Sequence, residues 1–134
     1  MLAANRAACR ATIKISKRGF NSSRINFAVT ELDDDDFVPL FIEANSKTIL
    51  YFTAGWCPPC KMIKPVYESL SDDEDFQLIA FAKVDVDDCH RASERAGISG
   101  IPAFHFMHNG EKVDELVGAD QNVLRQKIET HSLR

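Results

Sequence analysis

Apolar and polar positions change period several times along this chain, and the changes outline its elements. "INFAVT" (25–30) alternates apolar with polar residues and predicts a first strand. In "LDDDDFVPLFIEAN" the residues Phe37, Leu40, Phe41 and Ala44 recur at helical spacing, behind acids that suit a helix N-terminus. "TILYFTA" (48–54) is short, β-branched and apolar on both faces, the pattern of a buried central strand. Residues 60–70 then place Cys60, Ile63, Tyr67 and Leu70 on one helical face, with Pro65 as a kink. "QLIAFAKVDVD" (77–87) predicts another buried strand, and "DCHRASERAG" a short helix stopped at Gly97. Within "AFHFMHNGEKVDELVG" (103–118), Asn109-Gly110 joins two strands in a tight hairpin. Asp120 caps a last helix that carries Val123, Leu124 and Ile128 inward through about Ser132. The order β-α-β-α-β-α-β-β-α predicts one α/β domain whose sheet is mixed, because the final hairpin must be antiparallel.

Composition alters this picture in one place. The 134 residues are 45% hydrophobic and 27% charged, ordinary for a globular chain, with a net charge of −4. Residues 1–27, however, hold Arg6, Arg10, Lys14, Lys17, Arg18 and Arg24 and no acid, and the rest carries 10 Lys and Arg against all 20 acids. So acidic a body lacks the basic surface that nucleic acid requires. No apolar run approaches the roughly 20 residues of a membrane span. On a helix, Leu2, Cys9, Ile13 and Phe20 form a stripe flanked by Arg6, Arg10, Lys14 and Lys17. Acid-free and cationic, this stretch has the composition of an organelle transit peptide, and no secretory apolar core is present. Arg18, Phe20 and Ser23 resemble the mitochondrial processing signal R-x-F-x-x-S, implying a cut after Gly19 and removal of Phe20–Phe27. The expectation is a transit peptide over 1–27, cut between about 20 and 28, a domain over 28–134, and a place in the mitochondrial matrix. A cytoplasmic protein with a plain N-terminal tail is the alternative.

The chemistry centres on "WCPPC", residues 56–60. A zinc site would need a second close ligand pair, and neither Cys9, Cys89 nor the four histidines supplies one, so no metal is expected. A structural disulfide spanning two residues would remove little loop entropy. Redox exchange uses the placement well. Cys57 lies where a buried strand meets a helix, so first-turn N–H groups and the helix dipole stabilise a thiolate. Cys60 is one turn in, on the same face and more buried, and Pro58 and Pro59 stiffen the backbone between them. Cys57 is thus the expected attacking thiolate and Cys60 the resolving thiol. Their product is a redox-active Cys57–Cys60 disulfide that needs no bound cofactor.

"FTAGWCPPCKMIKP", "KVDVDD", "GISGIPAFHFMHNGE" and "VGA" together resemble the thioredoxin family, over essentially all of residues 25–134. The resemblance implies the thioredoxin fold, a central mixed β-sheet with helices on both faces. It also implies reduction of protein disulfides by a monomer, recharged by an NADPH-dependent thioredoxin reductase and serving clients such as peroxiredoxins. Carried over, Trp56 covers the thiols, and Ile101-Pro102 is a cis-proline step that pairs with an extended substrate. Gly100, Ile101 and the Val117-Gly118-Ala119 turn complete the docking surface.

Three departures from the family matter. Pro58 stands where glycine is usual and removes one more N–H from beside the thiolate. Tyr51 stands where the family buries an aspartate behind the resolving cysteine, which leaves Lys83, that acid's partner, without its carboxylate. With a reference pKa of about 10 a phenol is a poor base, so Cys60 is expected to lose its proton to water or to the leaving thiolate, and Tyr51→Asp to speed that step. Ala103 replaces a common threonine and alters packing only. Cys89 is expected as a half-buried residue at a helix start, with a regulatory thiol as the alternative. His90, His105, His108 and His131 are expected on the surface or on strand faces. The competing functions are a disulfide isomerase, which would usually carry Gly-His between the cysteines, a non-catalytic peptide-binding subunit, and a dimer bridging an iron–sulfur cluster through Cys57. No Gly-rich dinucleotide loop is present for nicotinamide.

Overall fold

The computed structural model describes residues 29–134. The transit-peptide stretch, with Cys9 and the processing signal, lies outside them. Five strands form one sheet: β1 (Thr30–Leu32), β2 (Lys47–Thr53), β3 (Ala80–Asp85), β4 (Ala103–His108) and β5 (Glu111–Val117). Their spatial order is β1-β3-β2-β4-β5. The first three run parallel, and β4 pairs antiparallel with both β2 and β5, so the sheet is mixed. Among the described residues the α-helices are α1 (Phe37–Ala44), α2 (Pro58–Ser71), α3 (His90–Arg95) and α4 (Gln121–Ser132). A 3₁₀ turn, Glu74–Phe76, leads into β3.

Strand alternation sorts the side chains into two cores. Ile49, Tyr51, Phe104 and Phe106 face α2 and α4, where they meet Ile63, Tyr67, Leu124 and Ile128. Leu50, Phe52, Ala82 and Val84 face α1 and α3, where they meet Val38, Phe41 and Ala92. β2 is therefore apolar on both sides because helices cover both of its faces. Asn109 and Gly110 both take positive φ, 52° and 88°, which is the two-residue hairpin their sequence predicts.

Three expectations need correction. The first strand does not end at residue 30 but runs on to Leu32, paired with Ala82–Val84 of β3, and the expected residues 25–28 lie outside the described ones. In α1 the buried stripe is Val38, Phe41 and Ala44, so Phe37 and Leu40 turn partly outward. The acids before α1 do not cap it through their side chains. Asp35 instead accepts the Ala92 N–H at 2.8 Å and so caps the first turn of α3. That bond, with burial opposing it and Arg91 assisting, holds the Asp35 carboxyl below its ordinary range.

Candidate active site

The site forms where β2 ends and α2 begins. Ala54 is buried, the chain turns through Gly55 and Trp56, and Cys57 becomes the N-cap of α2. Pro58 and Pro59 fill the first two helical positions, so neither supplies an N–H. The first free donor is therefore the Cys60 N–H, which points at Cys57 Sγ at 3.2 Å. Cys57 and Cys60 are disulfide-bonded with Cα atoms 5.3 Å apart, ordinary disulfide spacing. Cys57 is 3% exposed and Cys60 1%, so in this oxidised state both sulfurs are nearly enclosed. They form a small cluster with Ala54, against which Val86 and Ile101 pack.

Ile101 brings the Ile101–Pro102 step to the cysteine pair, and that peptide bond is cis. The buried Pro102 carbonyl accepts the Gly118 N–H at 2.8 Å, which fixes the turn after β5 against the proline. Gly118 has φ 121°, a conformation that a side chain would strain. A Cβ at Gly100 would touch Val117 Cγ1 at 3.4 Å, so the two surface segments lie side by side. Ala119 is partly buried against the main core. Around the enclosed disulfide, Trp56 is 66% exposed and Val117 54%, an unusual exposure of apolar surface. Met62, on α2, is 69% exposed as well. Sequence reasoning passed over Asp87, whose Oδ2 accepts the Trp56 indole N–H at 3.0 Å and so ties the ring to the turn after β3. No strand pattern flags it, because β3 ends at Asp85 and Asp87 lies in the turn that follows.

The thioredoxin family profile matches residues 28–130. The chain belongs to the thioredoxin family. It is 48% identical over 83 residues to a thioredoxin of Ictalurus punctatus, covering 62% of this chain and 78% of that one. Among solved structures it is similar to the Malassezia sympodialis thioredoxin, with a TM-score of 0.75, 37% identity and coverage of 78% and 91%. It is also similar to oxidised mitochondrial thioredoxin 3 of Saccharomyces cerevisiae, with a TM-score of 0.70, 26% identity and coverage of 76% and 94%. Family members are thiol–disulfide oxidoreductases that work through their own redox-active disulfide, and this member carries that cysteine pair as a closed bond. Among the described residues, no group of three or more His, Cys, Asp or Glu is placed to hold a metal ion.

Behind the pair, this thioredoxin differs from its family's pattern. Tyr51 is 1% exposed, and its hydroxyl donates to the Cys60 carbonyl at 2.8 Å. Burial pushes its phenol above the usual range, Thr53 pulls the other way, and the Glu68 charge adds to the rise. Lys83 does not stand without a carboxylate, as the missing aspartate implied. Glu31, its neighbour in the β1–β3 register, pairs with it at 2.8 Å.

Cys89 is fully buried, not half-buried, and it caps no N–H of α3. Its Sγ donates to the Leu32 carbonyl at 3.2 Å. Burial, then Asp35, Asp88, Asp33 and Asp34, push this thiol up to about 11. His105 is a buried strand-face residue whose pKa is lowered by burial first and Lys112 second. His131 lies neither on the surface nor on a strand. It is fully buried on the inner stripe of α4, edge-on to Phe106, and burial lowers its pKa to about 4.

Proposed function

We propose that this thioredoxin reduces protein disulfides in the mitochondrial matrix, with Cys57 as nucleophile and Cys60 as resolving thiol. The observation that carries the roles is the enclosed Cys57–Cys60 disulfide at the start of α2, with the cis Ile101–Pro102 step packed beside it. Once the pair is reduced, the Cys60 N–H and the α2 dipole favour the Cys57 thiolate. That thiolate attacks a client disulfide, forming a mixed disulfide and expelling one client thiolate. Cys60 then attacks Cys57 Sγ, the Cys57–client bond breaks, and the client leaves fully reduced while the pair closes. A client strand docks on Trp56, Gly100, Ile101, Pro102, Gly118 and Ala119. The pair is then reopened by an NADPH-dependent thioredoxin reductase, with disulfide-bearing proteins such as peroxiredoxins as clients and the monomer as the working form.

The matrix assignment rests on the acid-free, cationic residues 1–27 with Arg18, Phe20 and Ser23, and the resemblance to a yeast mitochondrial thioredoxin supports it. A fusion of residues 1–30 to a fluorescent reporter should enter mitochondria; retention in the cytosol defeats this part of the reading.

The chemistry is tested by insulin-disulfide reduction with residues 28–134, comparing NADPH plus thioredoxin reductase with dithiothreitol. Turnover in both supports the full reading. Turnover with dithiothreitol alone keeps the dithiol and rejects the reductase, and no turnover rejects both. Cys60→Ser should trap the client mixed disulfide on non-reducing gels, and an empty lane overturns the division of roles.

A further inference from the structure

The first turn of α2 has few backbone ties of its own. Two prolines remove its first two donors, and the bond from Lys61 N–H to the Cys57 carbonyl is long, at 3.3 Å. The contact from Cys60 N–H to Cys57 Sγ depends on what that sulfur is bonded to. A further and shorter tie comes from the sheet and does not involve that sulfur: the Tyr51 hydroxyl on the Cys60 carbonyl. The ring that carries it is itself fixed. It stacks on Phe104 at 4.8 Å with planes 8° apart and leans on Tyr67 at 4.9 Å. Tyr67, about two helical turns beyond Cys60, reaches the opposite way. Its hydroxyl meets the carbonyls of Ile49 and Ala82 at 3.1 and 2.8 Å. A strand tyrosine thus holds the helix, and a helix tyrosine holds the strands.

We propose that Tyr51 is a positioning residue for the resolving step: it holds the Cys60 backbone so that Cys60 Sγ stays in line with Cys57 Sγ while Cys57 is bonded to a client. The inference rests on the dithiol reading above and adds to it what stands in for the family's buried acid. In that step the Cys60 sulfur bonds to Cys57 Sγ and the Cys57–client bond breaks. The client sulfur takes the electron pair and leaves reduced, and the Cys60 proton passes to water or to that leaving thiolate. Tyr51 does not take the proton. Its own O–H is committed to a carbonyl, and burial holds the phenol in its neutral form. Its contribution is orientation, which controls how often the two sulfurs meet in line.

Ellman's reagent separates the two steps on the full chain carrying Cys9→Ser and Cys89→Ser, which leaves only the pair to react: attack by Cys57 releases one thionitrobenzoate and attack by Cys60 releases the second. In stopped flow, Tyr51→Phe keeps the ring and loses the hydroxyl. It should leave the first phase within about twofold and slow the second roughly five- to tenfold. Incorporating 4-aminophenylalanine at position 51 restores a donor at the same place and should bring the second phase back. In the infrared, a ¹³C=¹⁸O-labelled Cys60 carbonyl should shift to higher frequency in Tyr51→Phe. An unchanged second phase, equal slowing of both phases, no rescue by the amino analogue, or no carbonyl shift overturns the proposal. If the Cys9→Ser, Cys89→Ser chain with Tyr51 intact releases only one equivalent, the dithiol reading is overturned instead, so the two failures are distinguishable.

Discussion

Cys57 and Cys89 occupy the same local address, the residue before the first turn of a helix, and both are buried, but their partners and neighbouring charges differ. Cys57 heads a helix of 14 residues and receives the Cys60 N–H, beside exposed Trp56. Cys89 heads a helix of 6 residues and caps nothing. Asp35 has taken the cap of that helix from a distance of 57 residues. The Cys89 thiol is left as a donor to a carbonyl, with burial and four aspartates opposing its ionisation. A helix N-terminus therefore does not make a cysteine reactive by itself. The capping N–H must fall to the sulfur, and the neighbouring charges must allow an anion.

The largest expected effect follows from that contrast. Cys57→Ser should reduce insulin turnover to background, whereas Cys89→Ser should keep kcat/KM within about twofold, since its thiol takes no part in the exchange. A loss of more than tenfold in Cys89→Ser would bring the second cysteine into the chemistry and erase the comparison.

Next in size is the rate of alkylation. In the reduced protein at pH 7, iodoacetamide should modify Cys57 at least about 100-fold faster than Cys89. With its thiol pushed up to about 11, Cys89 is thiolate in only about one molecule in 10⁴ at that pH, and it is also fully buried. Mapping the modified peptides by mass, with and without denaturant, checks this. The same mapping after mild peroxide tests Cys89 as a regulatory thiol. Oxidation of Cys89 in the folded chain at a rate near that of Cys57 would restore the regulatory role.

How much of this contrast could be read from the chain depends on the range of the cause. The two-sided apolar run in residues 48–54 and the Asn109-Gly110 pair specify β2 and the hairpin through neighbours a few residues apart. "WCPPC" between a buried strand and an amphipathic helix likewise locates the cysteine pair locally. His131 was also within reach, because it continues the stripe Leu124–Ile128 at helical spacing, and its polarity hid its burial. Other features depend on register and topology. That Glu31 rescues Lys83 follows only once Glu31 is known to pair with Lys83 across β1 and β3. Asp35 caps α3 because the fold brings two distant loops together, and the local pattern pointed to α1 instead. Tyr51 was recognised as an unsuitable base, but its hydroxyl's partner is a backbone carbonyl, which no side-chain pattern encodes.

The smallest effect sharpens the comparison where it is purely electrostatic. In the oxidised protein the Cys57–Cys60 pair does not titrate, which leaves Cys89 as the titrating thiol among the described residues. Its pKa rises from an ordinary 9.0 to about 11 on folding, so between those values the unfolded chain has lost a proton that the folded chain keeps. Stability from this source is complete below pH 9 and is lost as pH rises towards 11, by at most about 2–3 kcal/mol. Cys89→Ala removes the titration and leaves a small cavity that costs about 1 kcal/mol at neutral pH. Lysines and tyrosines titrate equally in both proteins, so the difference between their urea-unfolding free energies isolates the thiol. That difference should favour the wild type at pH 8 and shrink or reverse by pH 11. A constant offset across this range would mean that the aspartates and the burial around Cys89 do not hold its proton, and that its inertness comes from enclosure alone.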